Sequence, residues 1–211
     1  MFCAPHDGNL FRRQAVFLDR DGTLIEDRGY LASPSEVVFF QNTIPALRLL
    51  QKKFRLFIIT NQAGIGEGFI KDIQVERVNT FILDFLSSEG IRIEKVYCCP
   101  HKLDDNCNCR KPSPYFIRKA EKEYRIDISG SFAVGDHPCD VQLAMNVGAT
   151  GVFLLSGHGK KHRDDVPSSV KVVREIGAAA RFIDKAHEFQ NRQGKAVKVA
   201  NQNLPGDCKN G

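Results

Sequence analysis

Short apolar runs alternate along the chain with longer stretches whose apolar residues recur every three or four positions. Ala15-Val16-Phe17-Leu18 is the first run, and Leu56-Phe57-Ile58-Ile59, Val96-Tyr97-Cys98, Phe132-Ala133-Val134 and Gly151 to Leu155 follow. Each is short, continuous and rich in β-formers, the pattern of a strand buried on both faces. Between them lie helical patterns at Ile44 to Lys53, with Pro45 suited to a first turn, and at Asp72 to Ser88, with Ile73, Val75, Val78, Ile82 and Phe85 near helical spacing. Further helices are predicted from Ser113-Pro114 to about Tyr124, from Pro138 to Asn146, and from Asp184 to Arg192. Strands alternating with helices predict an α/β fold with a mainly parallel sheet flanked by helices. The expected layout is one domain over 1–190, followed by a polar tail, 191–211, rich in Gly, Asn and Lys and expected to be disordered.

In such sheets ligands bind beyond the carboxyl ends of the strands. Those ends read Asp19-Arg20-Asp21-Gly22-Thr23, Thr60-Asn61-Gln62 and Gly135-Asp136-His137-Pro138-Cys139-Asp140. Any one of these polar groups is an ordinary turn or capping residue. Three in one sheet are harder to explain as caps.

Composition narrows the classes. The chain has 211 residues, 42% hydrophobic and 26% charged, an ordinary globular balance. Its net charge is +5, yet residues 1–156 hold 19 basic and 19 acidic side chains, so the excess lies wholly in 157–211. A nucleic-acid groove in the main domain is therefore not expected. No apolar stretch approaches the ~18 residues of a membrane span. Met1 to Gln14 lacks an apolar core for a secretory signal. The seven cysteines are an odd number, and three of them crowd with a histidine, which suits a metal site in a reducing compartment. A cytoplasmic monomer with no membrane or nucleic-acid partner is expected.

Asp19 and Asp21 leave a strand two positions apart, so their side chains are expected to share a side. Two converging carboxylates call for a cation, and Mg²⁺ prefers such oxygen ligands. Asp136 is expected to complete the metal set Asp19, Asp21 and Asp136. Asp19 then suits a carboxylate nucleophile and Asp21 the general acid and base. Thr60 and Asn61 suit phosphoryl oxygens, and Lys111 the charge that develops in transfer. Separately, Cys99, His101, Cys107 and Cys109 form a tetrahedral zinc set whose four protein ligands mark a closed, structural site. Cys98 is expected to point to the other side of its strand. A metal clip there would fix the loop that presents Arg110 and Lys111.

These residues resemble the motifs of the haloacid dehalogenase (HAD) superfamily of phosphatases. Asp19-Arg20-Asp21-Gly22-Thr23 matches the first motif, D-x-D-G-T. Thr60 looks like the second, Lys111 the third, and Gly135-Asp136 with Asp140 the fourth, the match running from Val16 to about Leu155. The resemblance implies a Rossmann-like sheet and Mg²⁺-dependent hydrolysis of a phosphate ester through a phospho-Asp19 intermediate. Forty residues separate Asp19 from Thr60 and fifty separate Thr60 from Lys111, so no large cap domain is expected in either interval. The site should be closed only by loops such as Asp27 to Ser33 and Ala63 to Gly68, the second made pliant by Gly64, Gly66 and Gly68.

The zinc pattern before Arg110-Lys111-Pro112 narrows the resemblance to the HAD group that holds D-glycero-D-manno-heptose-1,7-bisphosphate 7-phosphatases and the histidinol-phosphatase domains of histidine biosynthesis. Asp27-Arg28-Gly29-Tyr30 is similar to the D-x-G-Y of the heptose enzymes, and Ala63-Gly64-Ile65-Gly66 continues T-N-Q much as S-G-I-A does there. The resemblance implies a sugar-bisphosphate substrate contacted by Asp27, Arg28, Tyr30, Asn61, Gln62 and Arg110, with Arg28 and Arg110 meeting the second phosphate. It implies a place in heptose-nucleotide or lipopolysaccharide-core synthesis. The alternatives are a histidinol-phosphate phosphatase and a zinc-stabilised binding module without catalysis. Two departures bear on the substrate. The loop between His101 and Cys107 is short, and His137 stands where the heptose enzymes commonly have lysine.

Overall fold

The structure is a computed structural model that describes residues 13–202. Six parallel strands form one sheet in the order β3-β2-β1-β4-β5-β6. They are β1 (Ala15–Leu18), β2 (Arg55–Asn61), β3 (Ile93–Cys99), β4 (Phe132–Gly135), β5 (Thr150–Leu154) and β6 (Lys171–Val173). The helices are α1 (Thr43–Leu50), α2 (Ala63–Gly66), α3 (Asp72–Ser88), α4 (Tyr115–Tyr124), α5 (Pro138–Met145) and α6 (Ile176–Gln202).

Alternate residues of each strand feed opposite cores. Val16 and Leu18 of β1 face α1, α3 and α6, through Leu47, Leu50, Val78, Ile82, Leu86, Ala179 and Ile183. Ala15 and Phe17 face α4 and α5, through Ile117, Ala120, Leu143 and Ala144. Both faces are covered, which is why the strands read as unbroken apolar runs. The chain leaves β1 toward β2 and β3, then returns to the other side of β1 for β4 to β6. That reversal opens a crevice at the carboxyl ends of β1 and β4.

The differences from the predicted elements have local causes. Strand β6 was not expected, because three partly exposed edge residues carry too little apolar signal. Helix α2 falls where Gly64 and Gly66 suggested a pliant loop. These glycines serve close approach instead: a Cβ on Gly64 would lie 2.4 Å from the Tyr30 ring, and one on Gly66 2.8 Å from the Lys102 nitrogen. Helix α6 starts eight residues before the predicted Asp184, since buried Ile176, Ala179, Ala180 and Ile183 dock it on the sheet. It continues to Gln202. Residues 203–211 of the expected polar tail lie outside the described residues. Among the described residues, β1 and β2 are joined through α1, and β2 and β3 through α2 and α3, with no separate cap domain in either interval. No helix among the described residues is long and apolar enough to cross a membrane.

Candidate active site

Asp19 is the first residue past β1, at the centre of the sheet. The Lys111 ammonium lies 2.5 Å from its Oδ1, 2.7 Å from Asp140 Oδ1, and donates to the Ile59 carbonyl at 2.9 Å. Asp136, the first residue past β4, completes a group in which carboxylate oxygens of Asp19, Asp136 and Asp140 lie within 4.8 Å of one another. Two of the three carboxyl groups, Asp19 and Asp140, thus share one ammonium in a buried setting. Burial pushes the Asp19 carboxyl up to about 6, against the pull of Lys111. Asp136 is pushed up to about 8, by burial first and by the charge of Asp19 second. Burial alone would discharge Lys111, but Asp140 and Asp19 reverse that and hold its proton more firmly than usual.

Asp140 has a partner on each carboxylate oxygen. It pairs with Lys111, and its Oδ2 accepts the His137 N–H at 3.1 Å, capping α5. Asp136 accepts from the Thr23 hydroxyl at 3.4 Å and from the His158 N–H at 2.7 Å, and Asp19 accepts from Lys111 through Oδ1. Hard oxygen donors with excess negative charge fit a divalent cation such as Mg²⁺.

The expected convergence of Asp21 with Asp19 is not what the fold builds. The Asp21 carboxylate lies outside the cluster, held by Arg20 Nε at 2.9 Å and by Gln62 Nε2 at 2.8 Å. The fully buried Arg20 also donates to Asn79 Oδ1 of α3 at 2.7 Å. Strand β1 ends at Leu18 and the chain bends at Arg20, whose carbonyl accepts from the Leu24 and Ile25 N–H groups, so the extended geometry on which the i, i+2 rule depends does not reach Asp21. Asp140, matched to the fourth motif but given no role, takes the third place. Burial raises the Asp21 pKa.

Asn61 and Gln62 face inward rather than into open space. Asn61 Oδ1 accepts the Lys111 N–H at 3.0 Å, fixing that residue's main chain beside β2. Gln62 donates to both Asp21 and the buried Thr60 hydroxyl, each at 2.8 Å. A side chain at Gly22 or Gly157 would collide with Asp136: the built Cβ lies 2.3 Å or 2.2 Å from its Oδ2.

Beyond β3, Cys99, His101, Cys107 and Cys109 also converge. The Cys109 sulfur lies 3.3 Å from Cys99, 3.8 Å from Cys107 and 3.3 Å from His101 Nδ1, and Cys99 lies 3.6 Å from both Cys107 and His101 Nδ1. A tetrahedral metal with sulfur at ~2.3 Å and nitrogen at ~2.0 Å sets its donors about 3.5–3.8 Å apart. The four groups therefore fit a metal of that kind. Cys98 is absent from the group, as its strand parity predicts.

Comparison with known proteins agrees with this geometry. The model of a HAD-hydrolase-like family matches residues 108–179. The probable D-glycero-D-manno-heptose-1,7-bisphosphate 7-phosphatase of Thermoplasma volcanium is 39% identical over 124 residues, covering 58% of this chain and 85% of that one. The chain belongs to the HAD-like phosphatases. The histidine biosynthesis bifunctional protein HisB of Actinobacillus pleuropneumoniae is 35% identical over 149 residues, covering 69% of this phosphatase but only 40% of that longer chain. A crystal structure of the D,D-heptose 1,7-bisphosphate phosphatase of B. bronchiseptica, complexed with magnesium and phosphate, superposes with a TM-score of 0.76 at 28% identity, over 82% of this chain and 99% of that one.

The segments expected to meet the substrate lie at the rim of the phosphatase site. Tyr30 stacks on Phe69 at 4.8 Å, and its hydroxyl donates to Glu67 at 2.6 Å. The two rim loops, 27–33 and 63–70, therefore close on each other. Arg28 pairs with Glu26 at 2.9 Å on the exposed surface. Arg110 donates to the His101 carbonyl at 3.2 Å, back into the cysteine loop. Asp27 accepts from His158 Nε2 at 2.9 Å, and the His158 N–H donates to Asp136 Oδ2 at 2.7 Å. The segment Ser156-Gly157-His158 was missed by reading three strand ends. Applying the same rule to the end of β5 would have found it.

Proposed function

We propose that the protein is a Mg²⁺-dependent phosphatase that removes the 7-phosphate of D-glycero-D-manno-heptose 1,7-bisphosphate through an aspartyl-phosphate at Asp19, within heptose-nucleotide or lipopolysaccharide-core synthesis. The observation that carries this reading is the cluster of Asp19, Lys111, Asp136 and Asp140 at the crevice of the sheet. Asp19 attacks phosphorus with its free carboxylate oxygen while Lys111 holds the other. Asp21, its carboxyl kept protonated more readily by burial, gives a proton to the leaving sugar oxygen and later takes one from the attacking water. The Thr60 hydroxyl and the Lys111 ammonium stabilise the phosphoryl oxygens. Asp19 and Asp136 would hold Mg²⁺, which when bound offsets negative charge on the phosphoryl group. Asp140 keeps Lys111 in place. Cys99, His101, Cys107 and Cys109 would hold Zn²⁺ as a structural clip on the loop before Lys111.

The heptose reading draws on the named relatives and on the Asp27–Tyr30 segment at the rim. Similarity to the bifunctional histidine protein supports histidinol phosphate as the second reading. Phosphate release with Mg²⁺ decides between them. A large kcat/KM preference for heptose 1,7-bisphosphate over histidinol phosphate is expected. The reverse preference would keep the mechanism and replace the substrate, and release from neither would overturn the assignment.

A further inference from the structure

Helix α3 buries Val75, Val78, Ile82 and Leu86. Steps of three and four along that stripe also place position 79 on it, one turn after Val75 and one before Ile82. The pattern calls for an apolar residue there, and the chain has Asn79, half-buried. A polar side chain on a packed helix face costs desolvation unless something bonds to it. Here Asn79 Oδ1 accepts from Arg20 Nη1 at 2.7 Å.

Arg20 is fully buried, which is rare for a charged side chain unless it is paired. Its guanidinium has two attachments among the described residues. One edge meets Asp21, with Nε 2.9 Å from Oδ2 and Nη2 3.1 Å from Oδ1. The remaining nitrogen, Nη1, bonds to Asn79. A planar guanidinium bonded along one edge can still rock about that edge, and a third point on a 17-residue helix fixes its plane. Asp21 is fixed in turn. Its Oδ2 also accepts from Gln62 Nε2 at 2.8 Å, so the donors crowd that oxygen. Among the described residues Oδ1 accepts from Arg20, which leaves it room to carry a proton. Neither Arg20 nor Asn79 belongs to the cluster of Asp19, Lys111, Asp136 and Asp140, so metal binding and nucleophilic attack do not account for their arrangement.

We propose that Asn79 is a positioning residue for proton transfer to the leaving oxygen: it fixes the Arg20 guanidinium, and Arg20 holds Asp21 at one angle to the crevice. This rests on the phosphatase reading and deepens it, since a helix that carries no reacting group then sets the aim of the general acid. In the step concerned the phosphorus–oxygen bond breaks with its electron pair going to the leaving oxygen, while that oxygen takes the proton from Asp21. An alkoxide cannot leave without that proton. A nitrophenolate is stable enough to leave without it, so the role of Asn79 depends on the leaving group.

The test measures kcat/KM of the full chain with Mg²⁺ on two esters: an alkyl ester, the better of heptose 1,7-bisphosphate and histidinol phosphate, and an aryl ester, p-nitrophenyl phosphate. This constant includes only the steps up to departure of the leaving group, so the later work of Asp21 as a base does not enter it. The variants are N79L, near in size but without an acceptor, and N79D, which keeps the Oδ1 acceptor. In N79L the value for the alkyl ester is expected to fall about 30-fold and that for the aryl ester by less than about threefold, because only the first needs an aimed proton. In N79D the alkyl value is expected within about threefold of the wild type, since an oxygen again holds the guanidinium. Both values come from one preparation, so a loss of folded protein lowers them together and cancels in their ratio. Equal loss on both esters, no loss on either, or no recovery in N79D overturns the role of Asn79 and leaves the phosphatase reading standing. Phosphate release from neither ester by the wild type overturns the phosphatase reading, and this proposal with it.

Discussion

Two clusters of metal-ligand chemistry lie on the same side of this sheet, and they are built on opposite principles. The sulfur and nitrogen group of Cys99, His101, Cys107 and Cys109 already has the spacing of a closed tetrahedral shell, with no ligand position to spare. The oxygen group of Asp19, Asp136 and Asp140 holds more negative charge than Lys111 offsets, and burial raises the pKa of two of its members. One cluster is complete in itself; the other is completed by what it binds. The first sits on loop and strand end beyond β3, the second on the central strands β1 and β4. Asn61 joins them, since it grips the main chain of Lys111 two residues after Cys109.

The largest separation between the clusters should come from the D19N substitution. It removes the proposed nucleophile and should lower kcat by at least about 10⁴-fold, with zinc content by mass spectrometry unchanged. K111M strikes the electrostatic centre of the same cluster. It should lower kcat by about 10²–10³-fold and cost the metal-free protein about 3 kcal/mol in a denaturant titration, because the carboxylates lose their buried partner. C107S attacks the other cluster. Bound zinc should fall from one per chain to near none, with kcat/KM down about tenfold as the loop before Lys111 loosens. Intact zinc in that variant would remove Cys107 from the ligand set, and intact activity without zinc would show the two clusters to be independent.

The smallest effect is one of pH on the metal-free chain. Asp19 and Asp136 have folded-state pKa values raised from 3.8 to about 6 and about 8. Between those limits the folded chain keeps protons that the unfolded chain releases, so stability is greatest in acid and declines as pH rises from about 4 to 8. In EDTA the Tm should fall over that range, the D136N variant should show a shallower fall, and saturating Mg²⁺ should lift the Tm most at the alkaline end.

The sheet was legible because strands covered on both faces leave unbroken apolar runs, and five of six strands carry one. Helix α3 matches its predicted span, Asp72–Ser88, since its buried face recurs at regular spacing. That Asp19, Lys111, Asp136 and Asp140 come together was legible as strand-end chemistry and as matches to known motifs. Side-chain direction was not. Asp21 turns to Arg20 because the chain leaves the extended strand and bends at Arg20, and no periodicity reports a turn of that kind. Arg28 and Arg110 bind nearby acceptors that sequence distance alone does not rank against a substrate. The glycines of 63–68 signalled mobility by composition, while in the fold two of them mark surfaces in contact.

Those contacts set a rule for anyone who would redesign the enzyme's selectivity. Tyr30 from one rim loop rests against Gly64 of the other and hydrogen-bonds to Glu67. Each loop has internal hydrogen bonds, but their packing on each other is shared, so a graft of 27–33 from another phosphatase would lose the Tyr30 contacts with Gly64 and Glu67. The two are best transplanted as a matched pair, with the sheet beneath as a common chassis for the exchange.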